Sequence, residues 1–196
     1  MTTGLVRYHQ TGDLHFVTFS CYRRQPYLGT PVARDLFERS LETMRCRYDF
    51  FVTAYVVMPE HVHLLVGEPK CVLLATALQA LKLSVAVQSR ERPFWQRRYY
   101  DFNVHGERKL IEKRRYIHRN PVTRGLVAQP DEWKWSSFRH WWTGEEGAVE
   151  IESNWTARRR GGLGISYEIN PLNLTGTPQT HVSESRRGAP AFSKEQ

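Results

Sequence analysis

Two short apolar runs, FVTAYVVM (51–58) and HVHLLVG (61–67), stand back to back with only Pro59 and Glu60 between them. Each has the length of a strand, and an almost unbroken apolar run suits a strand buried on both faces. Together they predict a central hairpin. LHFVTFSCY (14–22) follows a Gly-Asp turn signal and reads as a strand ahead of it. Between the two lies an amphipathic helix reaching about residue 48. Thr30 offers its N-cap, Pro31 its first turn, and Val32, Leu36, Phe37, Leu41 and Met44 its apolar stripe.

After the hairpin, CVLLATALQALKLSVAVQSR (71–90) is too long for a strand and rich in helix formers, whereas FWQRRYYDFNV (94–104) returns to aromatic and β-branched residues. The resulting order, βαββαβ, predicts an α+β, ferredoxin-like fold: a four-stranded antiparallel sheet with two helices on one face. One further helix, GERKLIEKRRYIHRN (106–120), is polar apart from a stripe of Leu110 and Ile117. Pro121 is expected to close it, because the residue before proline is driven from the α region. A Trp-rich segment, VTRGLVAQPDEWKWSSFRHWW, should pack back on this domain of residues 1–143. From 144 to 196 the chain turns Gly-, Ser-, Pro- and Arg-rich and is expected to be a basic, largely disordered tail, with Ile151 and Trp155 as residues able to dock.

Lys plus Arg number 28 against 20 for Asp plus Glu, a net charge of +8 that favours a polyanionic partner, nucleic acid being the commonest. The N-terminal residues lack the apolar core of a signal peptide, and no run approaches a membrane span. The expected location is the cytoplasm, on the nucleoid when bound to DNA. Cys21, Cys46 and Cys71 are too widely spaced to suggest a disulfide framework or a thiolate metal site, and read as reduced and structural.

His61 and His63 open the second strand of the hairpin, and residues i and i+2 of a strand share a face, so both imidazoles can reach one ion. With no thiolate nearby, the ion expected is a divalent one completed by oxygen. Two histidines on a polar sheet face are the plainer alternative. Tyr116 and Asn120 share a face of the last helix, turned about 100° from its apolar stripe. A phenolate can attack phosphorus, and an amide oxygen four residues on can add a ligand. Tyr116 as an ordinary helix-edge tyrosine is the alternative. Arg97 and Arg98 on the fourth strand, with Arg114, Arg115, Arg119 and Arg124 around the last helix, would surround such a site with positive charge, and Trp95, Tyr99 and Tyr100 could stack unpaired bases. Against this stands the reading that the aromatics fill the core and the arginines form a solvated face.

The strings YVVMPEHVHLLV (55–66), FWQRRYYDFNV (94–104), YIHRNPVTRGLV (116–127) and WKWSSF (133–138) together resemble the REP-associated tyrosine transposases of the IS200-like HUH superfamily, over roughly residues 8–142. The resemblance implies a tyrosine transposase that nicks and rejoins single-stranded DNA at hairpin-forming palindromic repeats through a 5′-phosphotyrosine, leaving a free 3′-OH. It implies Tyr116 as nucleophile and His61 and His63 as ligands of Mg²⁺ or Mn²⁺. Asn120 falls where related insertion-sequence enzymes carry a Gln ligand. Glu60 matches an acidic or amide position ahead of the first histidine and is assigned no catalytic role. His118 lies on the wrong side of the helix to serve Tyr116 as a base. The resemblance further implies a monomer, with exchange of the tyrosine helix between two subunits as the alternative. Two other functions stay open on the sequence: a domesticated, non-catalytic nucleic-acid-binding protein, and a metal-dependent nuclease with water as its nucleophile.

Overall fold

The computed structural model describes residues 14–161, and in it the sheet runs β2-β3-β1-β4, with every neighbour antiparallel. Its strands are β1 (Leu14–Ser20), β2 (Val52–Val57), β3 (His61–Gly67) and β4 (Tyr100–Val104). Helices α1 (Pro31–Tyr48) and α2 (Leu74–Gln88) connect β1 to β2 and β3 to β4, which is the ferredoxin-like arrangement. The Thr30 side chain accepts the Ala33 amide at the start of α1, so the cap read from the sequence is formed.

The apolar hairpin is buried on both faces because two cores share it. Val62, Leu64 and Val66 of β3 point into a core with Phe37 and Leu41 of α1 and Leu78 and Leu81 of α2. Leu65 faces the other way, with Phe16, Ala54, Val56, Met58, Ile117 and Trp133. The second face is closed by α3 (Glu107–Thr123) and by the Trp-rich segment. Trp133 Nε1 donates to the Val57 carbonyl, Trp141 Nε1 to the Thr53 carbonyl and Trp135 Nε1 to Asp35. The edge of β2 is capped by isolated bridges from Ser136 to Val56 and from Ile151 to Val52, which removes an open row of backbone groups.

Three expectations are corrected. The fourth strand starts at Tyr100, not 94: Phe94 and Trp95 instead plug the α1–α2 core, where Trp95 stacks edge-on to Phe19 and Phe37 and donates Nε1 to the Lys82 carbonyl. Arg97 and Arg98 consequently stand exposed on the loop before β4 rather than on the strand. Pro121 does not close α3, which runs on to Thr123. In the final turn a proline forfeits one amide donor, its buried ring joins Ile117 on the packed face, and the end of the helix is tied off by Arg124 N–H to the Asn120 carbonyl and Leu126 N–H to the Pro121 carbonyl.

The third correction concerns the segment after 143. Val149 and Ile151 are buried in the α1–α2 core, and α5 (Asn154–Arg159), capped by Ser153, follows them after α4 (Phe138–Thr143). The first part of the expected tail is thus packed, and positions 162–196 lie outside the described residues. Among the described residues, no helix is long and apolar enough to cross a membrane.

Candidate active site

Strand β3 turns His61 and His63 to the face that α3 covers, and the two Nε2 atoms stand 3.0 Å apart. Each ring has a polar neighbour beside its other nitrogen. His63 Nδ1 is 2.7 Å from Thr18 Oγ1, its partner across the β1–β3 ladder, and His61 Nδ1 is 3.2 Å from the Glu60 carboxylate. The Glu60 carboxylate can only accept, which favours the proton on His61 Nδ1, and the Thr18 hydroxyl can accept from His63 Nδ1 in the same way; with both protons there, two Nε2 lone pairs face the same space. Burial, then the neighbouring His61 and the charge of Arg24, hold His63 down to about 3. Burial likewise lowers His61, against the pull of Glu60. The pair is neutral near pH 7, the state a metal ligand requires.

Asn120 of α3 completes the group. Its Nδ2 is placed 3.2 Å from His63 Nε2, while its Oδ1 is buried without a hydrogen-bond partner. Rotating the amide by half a turn exchanges the two atoms and points an oxygen at the imidazole pair. Two imidazole nitrogens and one amide oxygen make a three-donor set that suits a divalent cation. Among the described residues no group of three or more His, Cys, Asp or Glu offers a metal site elsewhere.

Tyr116 lies one helical turn before Asn120, half exposed, with its ring 5.1 Å from that of His63 and 5.8 Å from that of Phe16, edge-on to both. Nucleophile candidate and histidines therefore meet within one chain. They open on a cleft of about 940 Å³ between α3 and the β1–β4 side of the sheet. Its rim carries Arg24, Arg108, Arg115, Arg119 and Arg124. Arg115, Arg119 and Arg124 were legible in the sequence. Arg108, about two turns before Tyr116 on α3, was not named. Arg24 is brought in by a short 3-10 turn, Tyr22–Arg24, in which Arg23 and Arg24 both adopt left-handed backbone (φ 52° and 54°). Such residues cost on the order of 1 kcal/mol each and gather at functional sites. No local sequence signal announces that turn.

Other sequence candidates fall elsewhere. Arg114 is buried, its guanidinium stacked 3.7 Å from the Trp141 ring, and burial lowers it to about 10, so it fastens α3 to α4 instead of facing a substrate. Trp95 is a core residue. Arg97 and Arg98 do not line the cleft. Tyr100 does, and is the aromatic best placed there to meet a base. His118 is buried on the far side of α3 against Ser137, as helical geometry required. Thr18 and Glu60, which stand beside the two imidazoles, were not foreseen in those roles.

This fold, with a histidine pair on the sheet facing a tyrosine on the following helix, matches a known class: a family model described as "Transposase IS200 like" covers residues 9–120, and the chain belongs to that family. Within it, the chain is similar to a REP-associated tyrosine transposase of Escherichia coli (strain K12), 26% identical over 133 residues that span 67% of this chain and 80% of the relative. A Haemophilus influenzae protein assigned to the same group is 28% identical over 143 residues, 65% of this chain and 80% of that one. The fold is also that of a solved REP-associated tyrosine transposase bound to a REP hairpin, with a TM-score of 0.65 at 22% identity over 78% of this chain and 93% of the other.

Proposed function

We propose that this chain is a single-stranded DNA endonuclease and strand transferase acting at hairpin-forming palindromic repeats through a covalent 5′-phosphotyrosine on Tyr116. The observation that carries this reading is the meeting of Tyr116 with the His61–His63 pair and Asn120 at the floor of an arginine-rimmed cleft. The repeat hairpin as partner rests on the kinship with the REP-associated group. His61, His63 and Asn120 would hold Mg²⁺ or Mn²⁺, which when bound supplies Lewis-acid stabilisation of the charge on the scissile phosphate.

The chain's own residues account for the rest. Half exposed, the Tyr116 phenol can take an in-line position without unfolding its helix. Its Oη forms a bond to phosphorus as the P–O3′ bond breaks, the phenol losing its proton and the departing 3′-oxygen gaining one. The phosphodiester becomes a phosphotyrosine of comparable energy, so a 3′-OH can later reverse the step and rejoin the strand. Arg108, Arg115 and Arg119, which line the cleft from α3 as Tyr116 does, offer donors to the phosphates flanking the cut, and Tyr100 offers a stacking surface for an unpaired base. Histidines and tyrosine belong to one chain, which supports a site that works without helix exchange.

Incubating the protein with 3′-labelled hairpin oligonucleotides and Mg²⁺ or Mn²⁺ tests this. An SDS-resistant labelled band is expected with wild type and is lost with Tyr116→Phe or EDTA. Cleavage without a band identifies water as the nucleophile, and binding without cleavage over several candidate repeats identifies a non-catalytic binder.

A further inference from the structure

Glu60, which stands behind His61, does more than that one contact shows: it is a buried carboxylate at the turn between β2 and β3 with three cationic or protic neighbours. Arg124 Nη2 lies 2.8 Å from its Oε1, His61 Nδ1 3.2 Å and Arg24 Nη2 3.9 Å. Its backbone is tied down as well, the carbonyl accepting from Cys21 N–H at 2.9 Å. Arg124 also caps α3 with its backbone, donating to the Asn120 carbonyl at 3.0 Å.

These contacts close a ring. His61 leads to Glu60, Glu60 to Arg124, Arg124 to Asn120, Asn120 to His63 at 3.2 Å, and His63 back to His61 at 3.0 Å. Two chain regions distant in sequence, the β2–β3 turn running into β3 and the end of the tyrosine helix, meet in it. We infer that Glu60 is a positioning residue: it keeps the His61 proton on Nδ1, so that Nε2 faces the ion, and through Arg124 it sets the end of α3, and with it Asn120 and Tyr116, against the histidines. The inference rests on the metal reading of the site given above. The Glu60–His61 contact is oblique, neither atom completing a straight hydrogen bond, so its effect is electrostatic and directional on the proton rather than a rigid clamp. Carboxylates or carbonyls behind a ligating histidine act in this way in metal sites generally.

The test uses the full chain without DNA. Mn²⁺ binding is followed by the loss of the free-ion EPR signal, for wild type, Glu60→Ala, Glu60→Gln and Arg124→Ala. Glu60→Ala should bind Mn²⁺ roughly 10- to 100-fold more weakly. Glu60→Gln, which keeps an oxygen dipole beside Nδ1 without the charge, should recover part of that loss, and Arg124→Ala, which leaves the Glu60–His61 contact but releases the end of α3, should weaken Mn²⁺ binding by less than Glu60→Ala does. Wild-type affinity in Glu60→Ala, or no recovery in Glu60→Gln, overturns the inference while leaving the metal site intact. No Mn²⁺ uptake by wild type overturns the metal reading itself. Independently of any variant folding, long-range ¹⁵N–¹H spectra of the metal-free wild type should show His61 protonated on Nδ1, and a dominant Nε2–H form contradicts the positioning role.

Discussion

Replacing Glu38 by glutamine should stabilise the protein at neutral pH and leave it unchanged in acid. Glu38 is 5% exposed on α1 and accepts the Tyr55 hydroxyl at 2.7 Å. Burial, partly opposed by that hydrogen bond, pushes its carboxyl up from 4.5 to about 7. Below about pH 4.5 the group is protonated in folded and unfolded chains alike and contributes nothing. Between 4.5 and about 7 the unfolded chain has lost the proton and the folded one keeps it, so stability falls as pH rises. Above that window the folded state carries the full penalty, about 3 kcal/mol at about 1.4 kcal/mol per pH unit. Glutamine retains an acceptor for Tyr55 and carries no charge. Urea denaturation of both proteins from about pH 4 to about pH 8 should therefore show matching midpoints at the acid end and a gap opening in favour of the variant. Other titrating groups, including the buried His118 that burial holds down to about 3, are common to both proteins and cancel in the difference. A pH-independent offset, or a variant less stable at pH 8, refutes the argument.

The corrected residues yield further expectations. Trp95→Ala should cost about 3–5 kcal/mol in chemical denaturation, the range for emptying a large core site, while hairpin affinity per folded molecule is unchanged. A selective loss of affinity would return Trp95 to the DNA surface. Arg119→Ala and Arg115→Ala should each weaken hairpin binding and lower the slope of log K against log salt by about 1, measured by fluorescence anisotropy, whereas Arg97→Ala should alter neither as much. Equal effects at all three positions would place the DNA away from the cleft. His61→Ala combined with His63→Ala should abolish Mn²⁺ uptake with the fold retained by circular dichroism, and unaltered uptake would remove the pair from the metal site.

The order of elements was legible because each obeys a simple period: apolar alternation or unbroken runs for β1 to β3, a 3.6-residue stripe for α1, and Pro and Gly signals between them. The sequence misled where one signal has two physical causes. Aromatics such as Phe94 and Trp95 are favoured in strands and in cores alike, and here the core took them. Proline disfavours helix before it, yet Pro121 costs α3 only one donor in its last turn, where burial beside Ile117 offsets the loss. Residues 144–161 are sparsely apolar, and two buried side chains, Val149 and Ile151, together with backbone pairing of Ile151 to Val52 and the His140–Ser153 hydrogen bond, dock them.

At the site, His61, His63, Tyr116 and Asn120 were readable because i+2 on a strand and i+4 on a helix define shared faces without tertiary knowledge. Thr18, Arg24 and Glu60 were not readable in their roles. Each acts through a partner on another element, Thr18 across a strand ladder and Glu60 on the far end of α3, and such pairings exist only once the sheet has formed.

The most direct test of the central claim is peptide mapping by mass spectrometry of the protein after reaction with a hairpin oligonucleotide and Mn²⁺. Nuclease and protease digestion should leave a nucleotide 5′-phosphate on one peptide, the one containing Tyr116, and on no peptide when Tyr116 is phenylalanine. A nucleotide on any other residue, or cleaved DNA with every peptide unmodified, contradicts Tyr116 as the nucleophile.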